Sequence, residues 1–543
     1  MKSKKLWFLV SLLLTLGLVL AACAGDGEPE VEPEDSGDTT ETEGTEGAAE
    51  GGAGGGDLVI SVGADIPSLS AHGSNDVPSS NVQENIYETL TDLDENQEIQ
   101  PGLAESWEEI DETTWEFKIR EGVTFHDGAE LNAEVVKMNF DRLVDPDIAS
   151  PRAFLFEAVE SVEVVDDYTI RINLEYPYAP LLANLAHSGT AIMSPNIIEE
   201  DYKQMEEGGD VDTYINQNPV GTGPFKFEEW TPGEKVVLVR NDDYWGEPAK
   251  LDSVTFKVVT EQSSRVAELE TGVSHVADAI GPNNVSRVEG TDGVHVLQEP
   301  SVSLSYIGFN TQQEPFDDVR VRQAISMAID KDEIIEGVYN GIGIPAVGPL
   351  APPVFGFDEN VSGLPYDPEQ AKELLAEAGY PDGFSTTIWT NDNEQRVDTA
   401  IAVQAQLKEI GVDVEIEELE WGAYLERTAN GEHDMFILGW STVTSDADYG
   451  MYPLFHSSQA GDPGNRSFLE DEELDAILDE ARRETDPDAR QELYSEAQEM
   501  LVELAPMIYI HHQEYLLGVS DKLKDFTVDA QGIYQFKQAY IEE

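Results

Sequence analysis

The fold class is decided by residues 395–417, which read QRVDTAIAVQAQLKEIGVDVEIE. Residues 395–410 predict a helix that ends at Gly411. Residues 412–417 then alternate apolar and acidic side chains, which is the period of a half-buried strand. A helix joined to a strand through a single residue is typical of α/β packing. The sequence therefore predicts an α/β fold.

Strand and helix patterns alternate along the rest of the chain. Asn132 can cap a helix that starts at Ala133, and Asp367 can cap a second helix whose first residue is Pro368 and which stops at Gly379. No repeat with a period of 20–50 residues is evident, which disfavours a repeat array. Further elements are predicted at 57–62 and 114–119 for strands, and near 133–143 and 317–329 for helices.

The composition excludes several classes of partner. The chain has 543 residues, with 31 Lys and Arg against 109 Asp and Glu, and its formal net charge is −78. A polyanion of this charge is repelled by nucleic acid and by anionic membrane surfaces. One Cys excludes a disulfide framework. The length suits roughly three to four domains. We interpret the acidity as a means of keeping the protein solvated in a saline or alkaline exterior.

The first 56 residues predict a secretory signal followed by a flexible tether. Residues 1–23 combine Lys residues, an apolar run and a small-residue site, which is the pattern of a secretory signal. The end of this segment resembles the lipobox of bacterial lipoproteins, which implies that Cys23 receives a lipid and anchors the protein to the membrane. Residues 24–56 are acidic, rich in Gly and without apolar periodicity, so we expect a disordered linker.

Motifs for catalysis and for cofactor binding are missing from the sequence. We find no G-x-S-x-G, G-x-x-x-x-G-K, H-E-x-x-H or C-x-x-C pattern. The nine His residues are scattered, and the adjacent pair His511 and His512 would point to opposite faces of a strand. We therefore expect no enzymatic activity, no cofactor and no metal site.

An ordered series of motifs resembles the family 5 extracellular solute-binding proteins, the peptide, nickel and opine group of ABC-importer binding proteins. Each motif is weak by itself, whereas the series in this order is specific. The motifs lie at 87–90, 101–107 (PGLAESW), 117–128 (FKIREGVTFHDG), 219–225 (PVGTGPF), 241–245, 309–310, 318–324 (DVRVRQA), 367–379 and 439–440.

The resemblance implies a two-lobed periplasmic-binding-protein fold of type II that closes by hinge bending, with an extra subdomain inserted in lobe one. From the order of the motifs, strands near 303–311 and 507–519 should cross between the lobes. The expected boundaries are 57–97 with 219–308 and 508–543 for lobe one, 98–218 for the inserted subdomain, and 309–507 for lobe two.

The resemblance also implies where the charged ends of a ligand would bind. Peptide binders of this family hold the α-ammonium with an Asp that follows a Gly-Trp pair. Here Asp446 and Asp448 both follow Gly439 and Trp440 at a longer spacing, so both stay candidates. A carboxylate favours a bidentate guanidinium, and Arg396 lies at the start of a helix after the strand near 388–390.

Aromatic and backbone contacts complete the expected site. Trp440, Trp421 and Tyr449 are candidates for stacking walls, and Ser74 with Asn75 follows the first strand on a segment that faces the cleft in relatives. Backbone pairing there would tolerate many ligand sequences.

We therefore expect a monomeric, lipid-anchored binding protein on the outer face of the cytoplasmic membrane. It would capture a di- or oligopeptide and deliver it to permease subunits driven by a cytoplasmic ATPase. The alternative ligands are glutathione, a nickel chelate, an opine and an oligosaccharide, and a nickel ligand would favour His433 or His456 in the cleft. A secreted hydrolase and a purely structural surface protein are disfavoured by the missing nucleophile motifs and by the expected hinge.

Overall fold

A computed structural model describes residues 55–94, 97–461 and 464–542. These residues form one compact unit. The predicted signal segment, Cys23 and all but the last two residues of the predicted linker lie outside the described residues. Within the described residues, no helix combines the length and the apolar composition that crossing a membrane requires.

Strands and helices alternate through most of the described chain. The strands are β1 Asp57–Val62, β2 Thr91–Leu93, β3 Ile99–Pro101, β4 Ala104–Asp111, β5 Thr114–Ile119, β6 Val159–Asp166, β7 Thr169–Leu174, β8 Phe225–Thr231, β9 Lys235–Arg240, β10 Ser253–Val258, β11 Val276–Ala277, β12 Val294–Phe309, β13 Ile344–Pro345, β14 Ser385–Asn391, β15 Asp413–Leu419, β16 Met435–Ser441, β17 Met507–Ser520, β18 Leu523–Lys524, β19 Thr527–Val528, β20 Tyr534–Gln535 and β21 Tyr540–Ile541. The helices are α1 Val77–Ile86, α2 Ala133–Leu143, α3 Leu181–Ala186, α4 Pro195–Glu206, α5 Thr213–Gln217, α6 Gln262–Glu270, α7 Val285–Glu289, α8 Val319–Met327, α9 Lys331–Tyr339, α10 Pro368–Glu377, α11 Glu394–Glu409, α12 Trp421–Ala429, α13 Ala447–Phe455, α14 Glu472–Ala481 and α15 Pro487–Leu504.

The helices predicted from caps are confirmed. Asn132 Oδ1 accepts a hydrogen bond from the Val135 backbone N–H at 3.0 Å at the start of α2. Asp367 Oδ1 accepts from the Gln370 N–H at 2.9 Å at the start of α10. Each bond satisfies one of the N–H groups that the first turn of a helix leaves without a backbone partner. The helix and strand that decided the fold class are α11 and β15.

One large sheet runs through the described chain in the order β15-β14-β16-β12-β17-β11-β1-β10-β9-β8. The antiparallel pair β12 and β17 lies at its centre. On one side β16 pairs with β12 from Ser303 to Phe309, and on the other side β11 pairs with the end of β17. The two crossing strands predicted from the sequence are therefore present, and they join the two halves of the sheet.

We call lobe one the half that contains β1, β8–β11 and α1, and lobe two the half that contains β14–β16 and α8–α15. Lobe one packs around buried side chains such as Leu58, Leu238 and Phe256. Lobe two packs on both faces of its strands, with Tyr306 in one cluster and Ile437 in the other. Parallel strands buried on both faces are typical of α/β folds.

A third core belongs to the segment predicted as an insertion. Strands β4–β7 form a separate four-stranded antiparallel sheet in the order β4-β5-β7-β6. Its buried side chains, which include Phe117, Phe140 and Ile170, form a cluster of their own. We call the described residues of 98–218 the inserted segment. The residue limits of the lobes and of this segment stay predictions.

Candidate ligand-binding site

Two cavities lie between the lobes, and Gly439 on β16 lines both of them. The first, which we call the acidic cavity, encloses about 260 Å³, and its wall includes Asp76, Glu84 and Trp440. The second, which we call the arginine cavity, encloses about 280 Å³, and its wall includes Arg396. Cavities at the junction of two lobes are the usual place for small ligands.

The acidic cavity presents hydrogen-bonding atoms that have no protein partner. Asp76 caps α1, because its Oδ1 accepts from the Ser79 N–H at 2.8 Å. The other carboxylate oxygen of Asp76 and the Ser441 hydroxyl are buried without a partner among the described residues. Glu84, about two turns further along α1, also lines this cavity. Burial, followed by the charges of Asp529 and Asp92, raises the pKa of Glu84 well above its usual range.

His187 adds a donor to the same wall. Its Nδ1 accepts from the Gly189 N–H at 2.9 Å, which leaves the ring proton of the neutral imidazole on Nε2. Burial, together with the charge of Arg152, lowers the pKa of His187 well below its usual range, so the ring stays neutral. Arg152 is buried behind the wall, where it donates to Ser188 Oγ at 2.7 Å and to Ser80 Oγ at 2.9 Å. The acidic cavity therefore combines carboxylates with neutral donors.

The arginine cavity contains a guanidinium that has no carboxylate partner among the described residues. Arg396 lies in the first turn of α11, which follows β14 directly, as the sequence predicted. Its Nη1 donates to Asn391 Oδ1 at 3.0 Å, and its Cζ lies 5.5 Å from the centre of the Trp421 ring. These contacts orient the guanidinium and leave other N–H groups for a ligand. A carboxylate is the group that this geometry favours.

Aromatic rings form the wall beside Gly439. Trp440 Nε1 donates to the Tyr449 carbonyl at 2.9 Å, and the two rings lie 5.2 Å apart. Tyr449 stacks in turn on Phe154 of the inserted segment at 5.1 Å. Burial raises the pKa of Tyr449 to about 12, and Asn75 bonds with its hydroxyl. Trp440, Tyr449 and Asn75, which the sequence proposed as ligand contacts, are thus brought together on the acidic cavity.

The expectation that Asp446 or Asp448 binds a ligand ammonium needs correction. Both Asp446 carboxylate oxygens accept hydrogen bonds from Arg490, each at 2.6 Å. Asp448 accepts from Arg482 Nε at 3.0 Å and from its Nη2 at 3.1 Å. Both carboxylates are buried, at 6% and 5% exposure, and each is neutralised inside lobe two. The residue of this loop that lines the acidic cavity is the apolar Val443.

The other candidates take separate places. Ser74 is buried, and its carbonyl accepts from the Arg152 guanidinium behind the acidic cavity. Trp421 is 43% exposed and lies against Arg396. His433 is enclosed by aromatic rings, with Phe436 at 4.6 Å, and His456 Nδ1 bonds with Ser458 Oγ at 2.7 Å. Among the described residues, no group of three or more His, Cys, Asp and Glu side chains could hold a metal ion.

Sequence reasoning missed Asp76 and Glu84. The run Asp76-Val77-Pro78-Ser79 carries a readable signal for a helix start, with a capping residue followed by an early proline. That signal accounts only for Oδ1 of Asp76, which makes the capping hydrogen bond. The second oxygen and Glu84 become visible as site groups only when lobe two is packed against α1.

Comparison with known proteins identifies the class. Residues 98–462 match the family described as bacterial extracellular solute-binding proteins, family 5, middle region. The chain belongs to this family, which makes it a substrate-binding protein of an ABC importer and not an enzyme. Proteins of this class act on the periplasmic or extracellular side of the membrane.

Particular relatives cover nearly the whole described chain. The glutathione-binding protein GsiB of Pectobacterium atrosepticum is 34% identical over 501 residues, which are 90% of this chain and 94% of that protein. The structure of DppA from Helicobacter pylori in complex with the peptide STSA is similar, with a TM-score of 0.78 and 34% identity over 90% of this chain and 99% of that chain. AppA from Bacillus subtilis in complex with a nonapeptide has a TM-score of 0.75 and 29% identity over 90% and 99%. These matches confirm the predicted two-lobed α/β fold.

Proposed function

We propose that the protein captures a short peptide with a free ammonium and a free carboxylate, and delivers it to the membrane permease of an ABC importer. The observation that carries the proposal is the position of the Arg396 guanidinium on one side of Gly439 and of the Asp76 and Glu84 carboxyl groups on the other side. The carboxylate of the ligand binds Arg396, and its ammonium binds Asp76 and Glu84. A buried ammonium needs such a partner because an unpaired ion costs several kcal/mol.

Binding and closure are linked in this proposal. The proposed contacts come from both lobes, with Asp76 and Glu84 on α1 and Arg396 on α11. A ligand that touches both lobes favours the arrangement in which they are closed. The permease, driven by its ATPase, then receives the peptide from the closed form. A lipid on Cys23 would hold the monomer at the membrane surface while the acidic segment of 24–56 acts as a tether.

Glutathione is the second candidate ligand. The support for it is the 34% identity to a glutathione-binding protein over 90% of this chain. Glutathione is a γ-linked tripeptide with one ammonium and two carboxylates, so it meets the same requirement for opposite charges. A nickel chelate and an oligosaccharide find less support, since His433 lies among aromatic rings and charged side chains line both cavities.

Native mass spectrometry of the full chain tests this proposal. The protein is mixed with a library of di- to nonapeptides, glutathione, a nickel–histidine complex and oligosaccharides. We expect the retained mass to be that of a peptide or of glutathione. Retention of a sugar or of a nickel complex, with no peptide bound, would overturn the proposed ligand class.

A further inference from the structure

A third cavity opens inside lobe one, and we call it the apolar pocket. It encloses about 320 Å³. Its wall is formed mainly by apolar side chains from β1, the loop after it, α1, β10, β17 and β19, among them Val62, Ile66, Val77, Phe256, Leu517 and Val528. A cavity of about 150 Å³ lined in this way is large enough for benzene. The apolar pocket therefore has room for a whole leucine, methionine or phenylalanine side chain.

The apolar pocket and the arginine cavity share part of their walls. Asp278, Ala279 and Tyr515 line both spaces, from the lobe-one side. A ligand whose carboxylate binds Arg396 therefore lies in the cavity that adjoins the apolar pocket.

The polar side chains of the pocket are already satisfied by the protein. Asn81 Nδ2 donates to the Gly532 carbonyl at 3.0 Å, and its Oδ1 accepts from the Tyr534 N–H at 2.8 Å. Asp278 bonds with the Tyr534 hydroxyl. The Tyr515 hydroxyl bonds with Ser303. None of these side chains has a buried atom without a partner. A neutral polar ligand group would lose its hydration there, whereas an apolar group would gain from burial.

We propose that the apolar pocket binds the side chain of the ligand's C-terminal residue and selects peptides in which this residue is large and apolar. The inference rests on the proposed function, because it uses Arg396 to place the carboxylate. It also separates the two candidate ligands. Glutathione ends in glycine, which has no side chain to fill the pocket, so glutathione leaves this space empty and binds more weakly than an apolar tripeptide.

The test compares three tripeptides that differ in this side chain only, with glutathione as the second candidate ligand. Isothermal titration calorimetry on the full chain measures the affinity for Ala-Ala-Phe, Ala-Ala-Leu, Ala-Ala-Gly and glutathione. We expect Ala-Ala-Phe and Ala-Ala-Leu to bind about tenfold tighter than Ala-Ala-Gly or more, because a single methylene in an apolar pocket is worth about tenfold or more. Equal affinities for the three peptides would overturn the pocket assignment and leave the proposed function intact. If neither the peptides nor glutathione bind, the proposed function fails and the pocket assignment fails with it.

A pair of variants tests the location. Val62 is half-buried at the end of β1 and lines the apolar pocket, so Val62→Phe fills part of it. Val164→Phe is the matched control, because Val164 is also half-buried on a strand but packs in the inserted segment. We expect V62F to abolish the preference for Phe over Gly while the affinity for Ala-Ala-Gly stays unchanged, and V164F to leave both affinities unchanged. A preference that survives in V62F overturns the location. Should V62F not fold, Ile66→Ala enlarges the same pocket and removes apolar contacts from its wall. This variant should weaken binding of Ala-Ala-Phe but not of Ala-Ala-Gly.

Discussion

Arg482 of lobe two donates a 2.6 Å hydrogen bond to Glu157 of the inserted segment, 325 residues earlier in the chain. The same guanidinium holds Asp448 within its own lobe. The Arg482 carbonyl also accepts from the Ala179 N–H at 3.0 Å, and Tyr449 stacks on Phe154 nearby. These contacts join lobe two to the inserted segment beside the acidic cavity, so they stabilise the arrangement in which the cavity is enclosed.

Substitution of Glu157 should weaken ligand binding from outside the cavities. Glu157→Gln removes one charge of a pair in which the Glu157 side chain is 44% exposed, and such pairs contribute up to about 1 kcal/mol. We expect the affinity for a bound peptide to fall by about twofold to fivefold, with the ligand-free melting temperature nearly unchanged. Calorimetry measures the affinity and the melting temperature. Small-angle scattering of the ligand-free protein measures how far the lobes open.

Glu480→Gln is the control for that variant, because Glu480 is exposed on α14 of lobe two, two residues before Arg482. Its affinity should match that of the unchanged protein. If E157Q and E480Q bind equally well and scatter identically, the ion pair between Arg482 and Glu157 has no role in closure.

Asp446 should prove to be a stabilising residue. Asp446→Asn leaves the buried Arg490 without its carboxylate, and breaking such a pair costs about 3–5 kcal/mol. We expect a lower melting temperature without ligand, measured by calorimetry, while the folded fraction keeps its peptide affinity. Asp382→Asn, in an exposed loop of the same lobe, should change neither property. A variant D446N with normal stability and lost affinity would restore the ammonium role that the sequence suggested.

The sequence predicts local features of this fold better than its charge pairs. Asn132 and Asp367 cap helices through contacts only three residues away, so their patterns are readable. The position of Arg396 could be predicted for the same reason, because it depends only on the local junction of β14 and α11. Asp446 and Asp448 find their arginines 44 and 34 residues later, and no local pattern in so acidic a chain distinguishes a paired carboxylate from a free one.

Peptide affinity should rise with pH as Glu84 loses its proton. Burial raises the pKa of Glu84 in the ligand-free protein, so the carboxyl keeps its proton to a higher pH than usual. An ammonium binds the ionised form better, and binding therefore releases a proton until the pH exceeds that raised pKa. Calorimetry in buffers of different ionisation enthalpy counts the protons released on binding, from about pH 5 to about pH 8. The pH range ends there because the amino group of the peptide loses its own proton at higher pH.

Glu84→Gln should flatten this pH dependence, and it should lower the affinity above the pKa of Glu84. Glu134→Gln, on the exposed start of α2, should leave the dependence as it is. Identical proton release in E84Q and in the unchanged protein would assign the titration to another group.

The most direct test of the two-charge site is the affinity of one tripeptide with each end blocked in turn. Ala-Ala-Phe, its N-acetyl form and its C-terminal amide are titrated into the full chain and into Arg396→Ala. We predict that each block weakens binding to the unchanged protein by about tenfold or more, since a charge-assisted bond in an enclosed site is worth about 1.5–3 kcal/mol. In R396A, amidation should no longer matter, whereas acetylation should still weaken binding. Blocked and free peptides that bind the unchanged protein equally well would contradict the account.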